Sequence, residues 1–346
     1  MDLVNRTEFN VGLPYTVAEE EVMMASAIVR ASFDIVDGAL VPSDEQEWPI
    51  GEAVKTELGT FDEDSPFRKA GVDVMLLGHA YPAKTPGTQA RVELHVGSFT
   101  YAVSVFGDRQ WERAGKELVP DRPRPFTSMP LTWERAYGGK CPVENGDMPF
   151  HGNPVGRGFY VDEASAEGGV LPNLEDPDKL VSTWQDQPIP VGMAPISRES
   201  SLRILNSTEY DTDTEPPRIK QIKPSYHNNA NPKLILPDVP KSGSTIRVIG
   251  VQADNSELTF PLPELAFHTY VQLQDRSYVF PSQLDTITIL ADERRVVLGH
   301  RCCFKYRFRP MERRVAVVRA GVAPSSVPAD YIVDWATFDE SEVVNV

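Results

Sequence analysis

The amino-acid sequence predicts a mainly β protein. It reads as a β-rich α+β chain whose antiparallel sheets pack as a sandwich, with long Pro/Gly-rich loops and few short helices. Three observations predict this. Apolar residues recur at every second position wherever the sequence is periodic. Proline supplies 30 of 346 residues, nearly twice its ordinary share of about 5%, and its ring is incompatible with helix interiors. Gly, Asn and Asp punctuate the periodic runs where hairpins would turn.

The elements follow in order. Ala27, Val29, Ala31, Phe33 and Ile35 alternate with Ser26, Arg30, Ser32 and Asp34, which is strand periodicity. Thr16 and Glu19 have capping-box spacing, but the β-branched and aromatic alternation outweighs a helix there. Val72 to Leu77 is an almost continuous apolar run, the signature of a buried strand. Val92, Leu94 and Val96, a Gly97-Ser98 turn, then Tyr101, Val103 and Val105 form a hairpin with one wet face. A second β-rich region runs from Thr245 to Val251, turns at Asp254-Asn255, and returns from Leu258 to Leu262. A last hairpin joins Thr286–Leu290, through Asp292-Glu293, to Val296–Phe308. That return strand is about 40 Å long at about 3.3 Å per residue. One of its faces is apolar with His300; the other carries Arg301, Cys303, Lys305, Arg307 and Arg309.

These elements suggest one β-rich domain over residues 1–320, with excursions at 125–177 and 187–240, and an acidic tail or docking arm at 321–346. Charge is uneven. Residues 1–65 carry 15 acidic side chains against Arg6, Arg30 and Lys55, and residues 320–346 carry five acids and no base, which leaves the body near neutral within a net −16. Phosphate contact requires a basic surface, so nucleic acid is not an expected partner. The first residues lack a basic, apolar leader and no apolar run reaches the ~20 residues of a membrane span. A cytoplasmic location without membrane contact is therefore expected. Cys141, Cys302 and Cys303 form no CxxC pair and fit a reducing compartment.

Chemistry is sparse. His79, His95, His151, His227, His268 and His300 are too dispersed for an HExxH or HxH metal pair. His300 falls on an apolar strand face, where a core imidazole is expected, and His95 on a polar one. There is no GxSxG; Ser98 and Ser244 sit in turns. Gly156-Arg157-Gly158 lacks the third glycine and the strand-to-helix setting of a phosphate loop. No cofactor, metal or catalytic set is expected, and the chain reads as a non-enzyme.

The densest information lies between Pro125 and Pro177, in MPLTWERAYGG (Met129–Gly139), NPVGRGF (Asn153–Phe159) and LPNLEDP (Leu171–Pro177). Gly permits positive φ and Pro fixes φ, so this is a shaped loop, and long shaped loops usually serve function. Trp133, Arg135 and Tyr137 alternate; such side chains either pin a loop to a sheet or form a binding hot spot. The candidate partner-binding set is Trp133, Arg135, Tyr137, Gly138, Gly139, Asn153, Pro154, Gly156, Arg157, Phe159, Asn173 and Glu175.

In that order and spacing, the three blocks resemble the bacterial family catalogued as domain of unknown function 2169. The resemblance begins near Ala25, passes through Val72–Pro82 to about Asn173, and is looser from Asn228 to Val318. Members of that family look like adaptor chaperones of the type VI secretion system. The resemblance implies a partner, a toxin effector with a PAAR-type tip, and loading of that effector onto the VgrG spike. It carries no catalytic residue. Trp133 and Tyr137 stand where the family tends to have aromatics. Two other readings remain: a hydrolase built around the 125–177 loop with His151 and Asp176, and an immunity protein whose acidic ends block a basic toxin.

Overall fold

The computed structural model describes residues 1–46, 48–274, 276–335, 337, 338, 343 and 344. Strands dominate, and three sheets carry the architecture among the described residues. The largest runs in the order Asn10–Gly12, Val22–Val36, Arg295–Arg307, Gln283–Leu290, Val72–Leu77, Ile235–Leu236, with Tyr15–Glu19 and Ala39–Pro42 also paired to Val22–Val36. A five-stranded sheet runs Leu174–Glu175, Phe99–Phe106, Gln89–Val96, Thr245–Ile249, Leu258–Pro261. A four-stranded sheet runs Asp2–Arg6, Arg314–Ala320, Phe267–Leu273, Arg276–Pro281.

The hairpins form as the alternation requires. Gln89–Val96 pairs with Phe99–Phe106 across Gly97, whose φ of 58° suits glycine. Val92, Leu94, Tyr101, Val103 and Val105 are buried, while Glu93, His95 and Ser104 are half-exposed. Tyr15–Glu19 is a strand rather than the start of a helix. Gln283–Leu290 pairs with Arg295–Arg307, which then pairs with Val22–Val36 along its whole length, from Arg295 opposite Asp34 to Arg307 opposite Val22. One apolar cluster joins all three sheets, including Val29, Val74, Leu94, Val103, Phe260, Val271 and Ala316. Removing this apolar surface from water is the main stabilising term.

The pairing is not purely antiparallel. Val72–Leu77 runs parallel to Gln283–Leu290, and Asp2–Arg6 runs parallel to Arg314–Ala320. Side-chain alternation fixes which face is apolar but is silent on strand direction, so these pairings lay outside the sequence reading. A second departure concerns Val22–Val36. Its polar set is buried as deeply as its apolar set: Ser26, Arg30 and Ser32 are all enclosed. Segment 43–69 covers that face, with Ser26 Oγ donating to Pro66 O, Gln46 bonded to the Ser32 backbone, and Arg30 paired with Asp64.

The 187–240 excursion contains the helix Ser201–Ser207 and an exposed hairpin, Thr208–Asp211 with Arg218–Ile222. Beyond Ala320 the chain turns back, and Val327, Tyr331, Val333, Trp335 and Phe338 pack on the four-stranded sheet. Residues 339–342, 345 and 346, which hold much of the acidic end, lie outside the described residues.

His300 is a core imidazole, 5% exposed, packed edge-on against Phe267. Burial lowers its pKa from 6.5 to about 4, with Asp285 opposing. The ring is neutral in the fold, whereas the unfolded chain takes up a proton below pH 6.5, so His300 favours folding at neutral pH and this contribution is lost as pH falls toward 4. Urea unfolding at about pH 7.5 and about pH 4.5 is expected to show a loss of about 2–3 kcal/mol from this site. His300→Phe should remove that part of the acid sensitivity; an unchanged pH dependence would refute the assignment.

Candidate functional site

The three motif blocks converge on one frame. The Trp133 indole donates to Ala194 O and Pro195 O, at 3.1 and 3.0 Å. Arg135 donates to Asn173 Oδ1 at 3.2 Å and reaches Asp108 at 3.3 Å. Asn153 is the keystone: its Nδ2 donates to Trp133 O at 2.8 Å and Tyr137 O at 3.1 Å. Tyr137–Gly138 pairs in parallel with Arg157–Gly158. Close approach dictates the glycines there, since a Cβ on Gly138 would sit 2.1 Å from Asn153 O and one on Gly139 2.5 Å from Gly156 O, both at positive φ. Gly156 is equally crowded, 2.4 Å from the Asn153 amide.

Around this frame, Tyr137, Phe150, Phe159 and Cys141 pack as a small satellite core. Arg157 Nε donates to Glu134 O at 2.9 Å. Asn173 Nδ2 donates to Phe106 O at 3.0 Å, tying the third block to the five-stranded sheet. The Glu175 carboxylate accepts from Arg109 and, at 2.7 Å, from Val181 N.

Of the twelve motif residues named from sequence, only Pro154 is exposed; Tyr137, Gly138, Gly139, Asn153, Phe159, Asn173 and Glu175 are buried. Their side chains stand behind the surface and hold the loop's shape. Trp133, Arg135, Gly156 and Arg157 are half-buried, and within the three blocks the exposed residues are Glu134, Pro154 and Val155.

The histidines do not converge. His151 is exposed, and Asp176 is engaged by Lys233 Nζ at 3.2 Å and Asp178 N at 3.0 Å. His79 pairs with Asp292, and His95 lies between Glu93 and Thr100. Among the described residues no group of three or more His, Cys, Asp or Glu could hold a metal ion. Cys302 is buried on the apolar face, whereas Cys303 on the opposite face bonds Ser26.

The basic stripe of the long return strand is not uniform, which corrects the sequence reading. Arg301 is buried and bonded to Asp285, Asp64 and Ser65 O. Lys305 is exposed and pairs with Glu19. The acidic arm lies instead against Arg313 and Arg319. Arg301 forms the floor of a cleft of about 610 Å³ between segments 50–69 and 198–229. Burial opposes ionisation of Asp64, but Arg30, Arg301 and Lys69 together hold its pKa below the ordinary carboxylate range. His227 in the cleft wall stacks on Phe67 and shares a hydrogen bond with Ser65; burial, with Arg203 and Arg301 nearby, lowers it to about 4. Sequence reasoning missed this cleft because its charges come from five distant segments. The only signal was a pair of arginines, Arg30 and Arg301, on the non-apolar faces of long strands.

A second surface is apolar. In the large sheet Tyr15 lies opposite Ala25, which faces Phe304, and Val17 lies opposite Met23, which faces Tyr306. Opposed residues share a face; Ala25, Phe304 and Tyr306 are buried in the core, Met23 is half-buried, and Tyr15 and Val17 stand exposed at the margin of that row. Tyr15 is 62% and Val17 67% exposed. Phe280 stacks on Phe304 and on exposed Tyr278, and Arg314 lies over the exposed Phe308 ring. Tyr15–Glu19 pairs only with Val22–Val36, so its outer edge carries no ladder among the described residues.

A family model described as an uncharacterized protein conserved in bacteria (DUF2169) matches residues 20–301, all three motif blocks included. No curated protein matches, and no solved structure does. Among the described residues no helix is long and apolar enough to cross a membrane.

Proposed function

We propose that this chain, which belongs to the DUF2169 family of uncharacterized bacterial proteins, is an adaptor that holds another polypeptide and acts without breaking a covalent bond. The partner is a type VI secretion effector with a PAAR-type region. The adaptor keeps it soluble in the cytoplasm and delivers it to the VgrG spike. One observation carries the reading: the strand Tyr15–Glu19 has an unpaired outer edge among the described residues. An open edge can accept an extended segment as an added strand, and Tyr15 and Val17 stand exposed on that edge strand. The motif loop supports the same reading as a rigid frame, with Pro154 and Val155 at its surface. Release requires only a competing contact at the spike, so no nucleotide is needed.

The direct test is co-expression with the effector encoded beside this gene. A stoichiometric complex, and loss of effector solubility and export without the adaptor, are expected. An effector equally soluble and exported alone refutes the proposal; neutralised toxicity without export would favour an immunity role. Tyr15→Asp combined with Val17→Asp should lower the recovered effector about tenfold or more. Because both residues are exposed, folding stability should change by only about 0.5 kcal/mol. Undiminished recovery would remove this surface from the proposal.

A further inference from the structure

The C-terminal arm is held in an unusual way. At the Asp2–Arg6 edge of the four-stranded sheet Val343 bridges Val4 and Val344 N donates to Leu3 O at 2.8 Å, whereas Tyr331, Val333 and Trp335 belong to none of its strands. Over residues 331–335 the contact is made through side chains. Gln272, 3% exposed, bonds both backbone groups of Val333: Oε1 accepts from Val333 N at 2.7 Å and Nε2 donates to Val333 O at 2.9 Å. Tyr270 Oη donates to the same Oε1, which orients the amide.

Two aromatic anchors flank this contact. Tyr331 stacks on His268, bonds its Nε2 at 3.0 Å, and lies under Arg319. Trp335 donates to Gln274 O at 3.0 Å, and Arg313 covers its ring while bonding its carbonyl at 2.8 Å. Tyr331, Val333 and Trp335 pack toward the sheet; Ile332 and Asp334 between them are exposed. Alternate side chains in pockets, with backbone bonds between them, are the contacts by which extended peptides are recognised. The two arginines on the sheet side engage the arm through the Trp335 carbonyl and the rings of Trp335 and Tyr331.

We infer that this face, built from His268, Tyr270, Gln272, Arg313 and Arg319, is a reader of extended polypeptide segments that carry aromatic or branched residues at alternate positions. The chain's own 327–338 arm is its resident occupant, and a segment of the same chemistry from the held partner displaces it. Tethering gives the arm a high effective concentration, so a free segment competes only when the arm is weakened or the segment is itself delivered at high local concentration. The identity of the partner rests on the adaptor proposal; the reader does not.

The test uses the full chain and a fluorescent peptide with the sequence of residues 327–338. The chain with Tyr331→Ala and Trp335→Ala is expected to bind the peptide at least about tenfold more tightly than the unsubstituted chain. Adding Gln272→Leu should lower that affinity about tenfold, through two lost hydrogen bonds. Equal binding by all three chains overturns the inference. Amide exchange of the unsubstituted chain tests it without any substitution: Val333 should exchange about a hundredfold faster than Val271 and Val317. If Val333 is as protected as those core positions, the arm is fixed structure and the inference is wrong. The adaptor proposal, tested at Tyr15 and Val17, would survive that result.

Discussion

Replacing Arg301 by methionine is expected to lower the unfolding free energy by about 3–5 kcal/mol. The guanidinium is enclosed beside Asp285 and Asp64, with Arg30 and Lys69 completing the group. Methionine fills much of the space but leaves two carboxylates short of a cation. An uncompensated buried charge costs far more than a lost surface pair, whose contribution is about 0–1 kcal/mol. Lys305→Met, two turns of the pleat further along, removes an exposed pair and should cost little. The carboxyls add an acid signature. Burial would raise Asp285, but Lys69, Arg301 and Arg30 outweigh it, and Asp64 is likewise depressed. A depressed folded pKa means that the stabilisation is fully present above about pH 4 and is lost as pH falls further. Denaturant titration of both variants measures the difference; equal losses for Arg301→Met and Lys305→Met would contradict the buried network.

The second large effect is expected at Glu175. Glu175→Leu leaves Arg109 enclosed without its carboxylate and strips Val181 N of its acceptor. A loss of about 3–5 kcal/mol is expected, by the same reasoning. Combining it with Arg109→Leu removes both charges and should recover a substantial part of the loss, so the double-mutant cycle should show strong coupling. Additive losses would mean that the two side chains act separately. The cycle also bears on the motif itself. If the LPNLEDP block serves to hold the loop, Glu175→Leu should reduce effector recovery in proportion to stability, and the double variant should restore both.

Much of this architecture was legible in the sequence. The hairpins at 92–105, 245–262 and 286–308 follow from alternation and turn residues, because a side-chain period of two is a local property. The 125–177 segment was legible as a shaped loop because Gly138, Gly139 and Gly156 stand where a Cβ would strike backbone or the Asn153 amide. What escaped was non-local. Nothing in Val72–Leu77 announces a parallel neighbour at Gln283–Leu290. Arg301 reads as a wet-face residue until Asp64 and Asp285 are brought to it. The motif side chains were legible as a group but not as buried ones, since hydrogen bonds such as Asn153 to Trp133 O depend on how the loop closes.

The pairing of Val22–Val36 with Arg295–Arg307 has a consequence for biosynthesis. Asp34 and Arg295, bonded partners at one end of that ladder, are 261 residues apart in the chain. Contacts so distant in sequence are slow to form and expose their apolar surface while they wait. During translation the early strand can pair with its neighbours Tyr15–Glu19 and Ala39–Pro42, but its other edge must stay open until nearly the whole polypeptide has emerged from the ribosome.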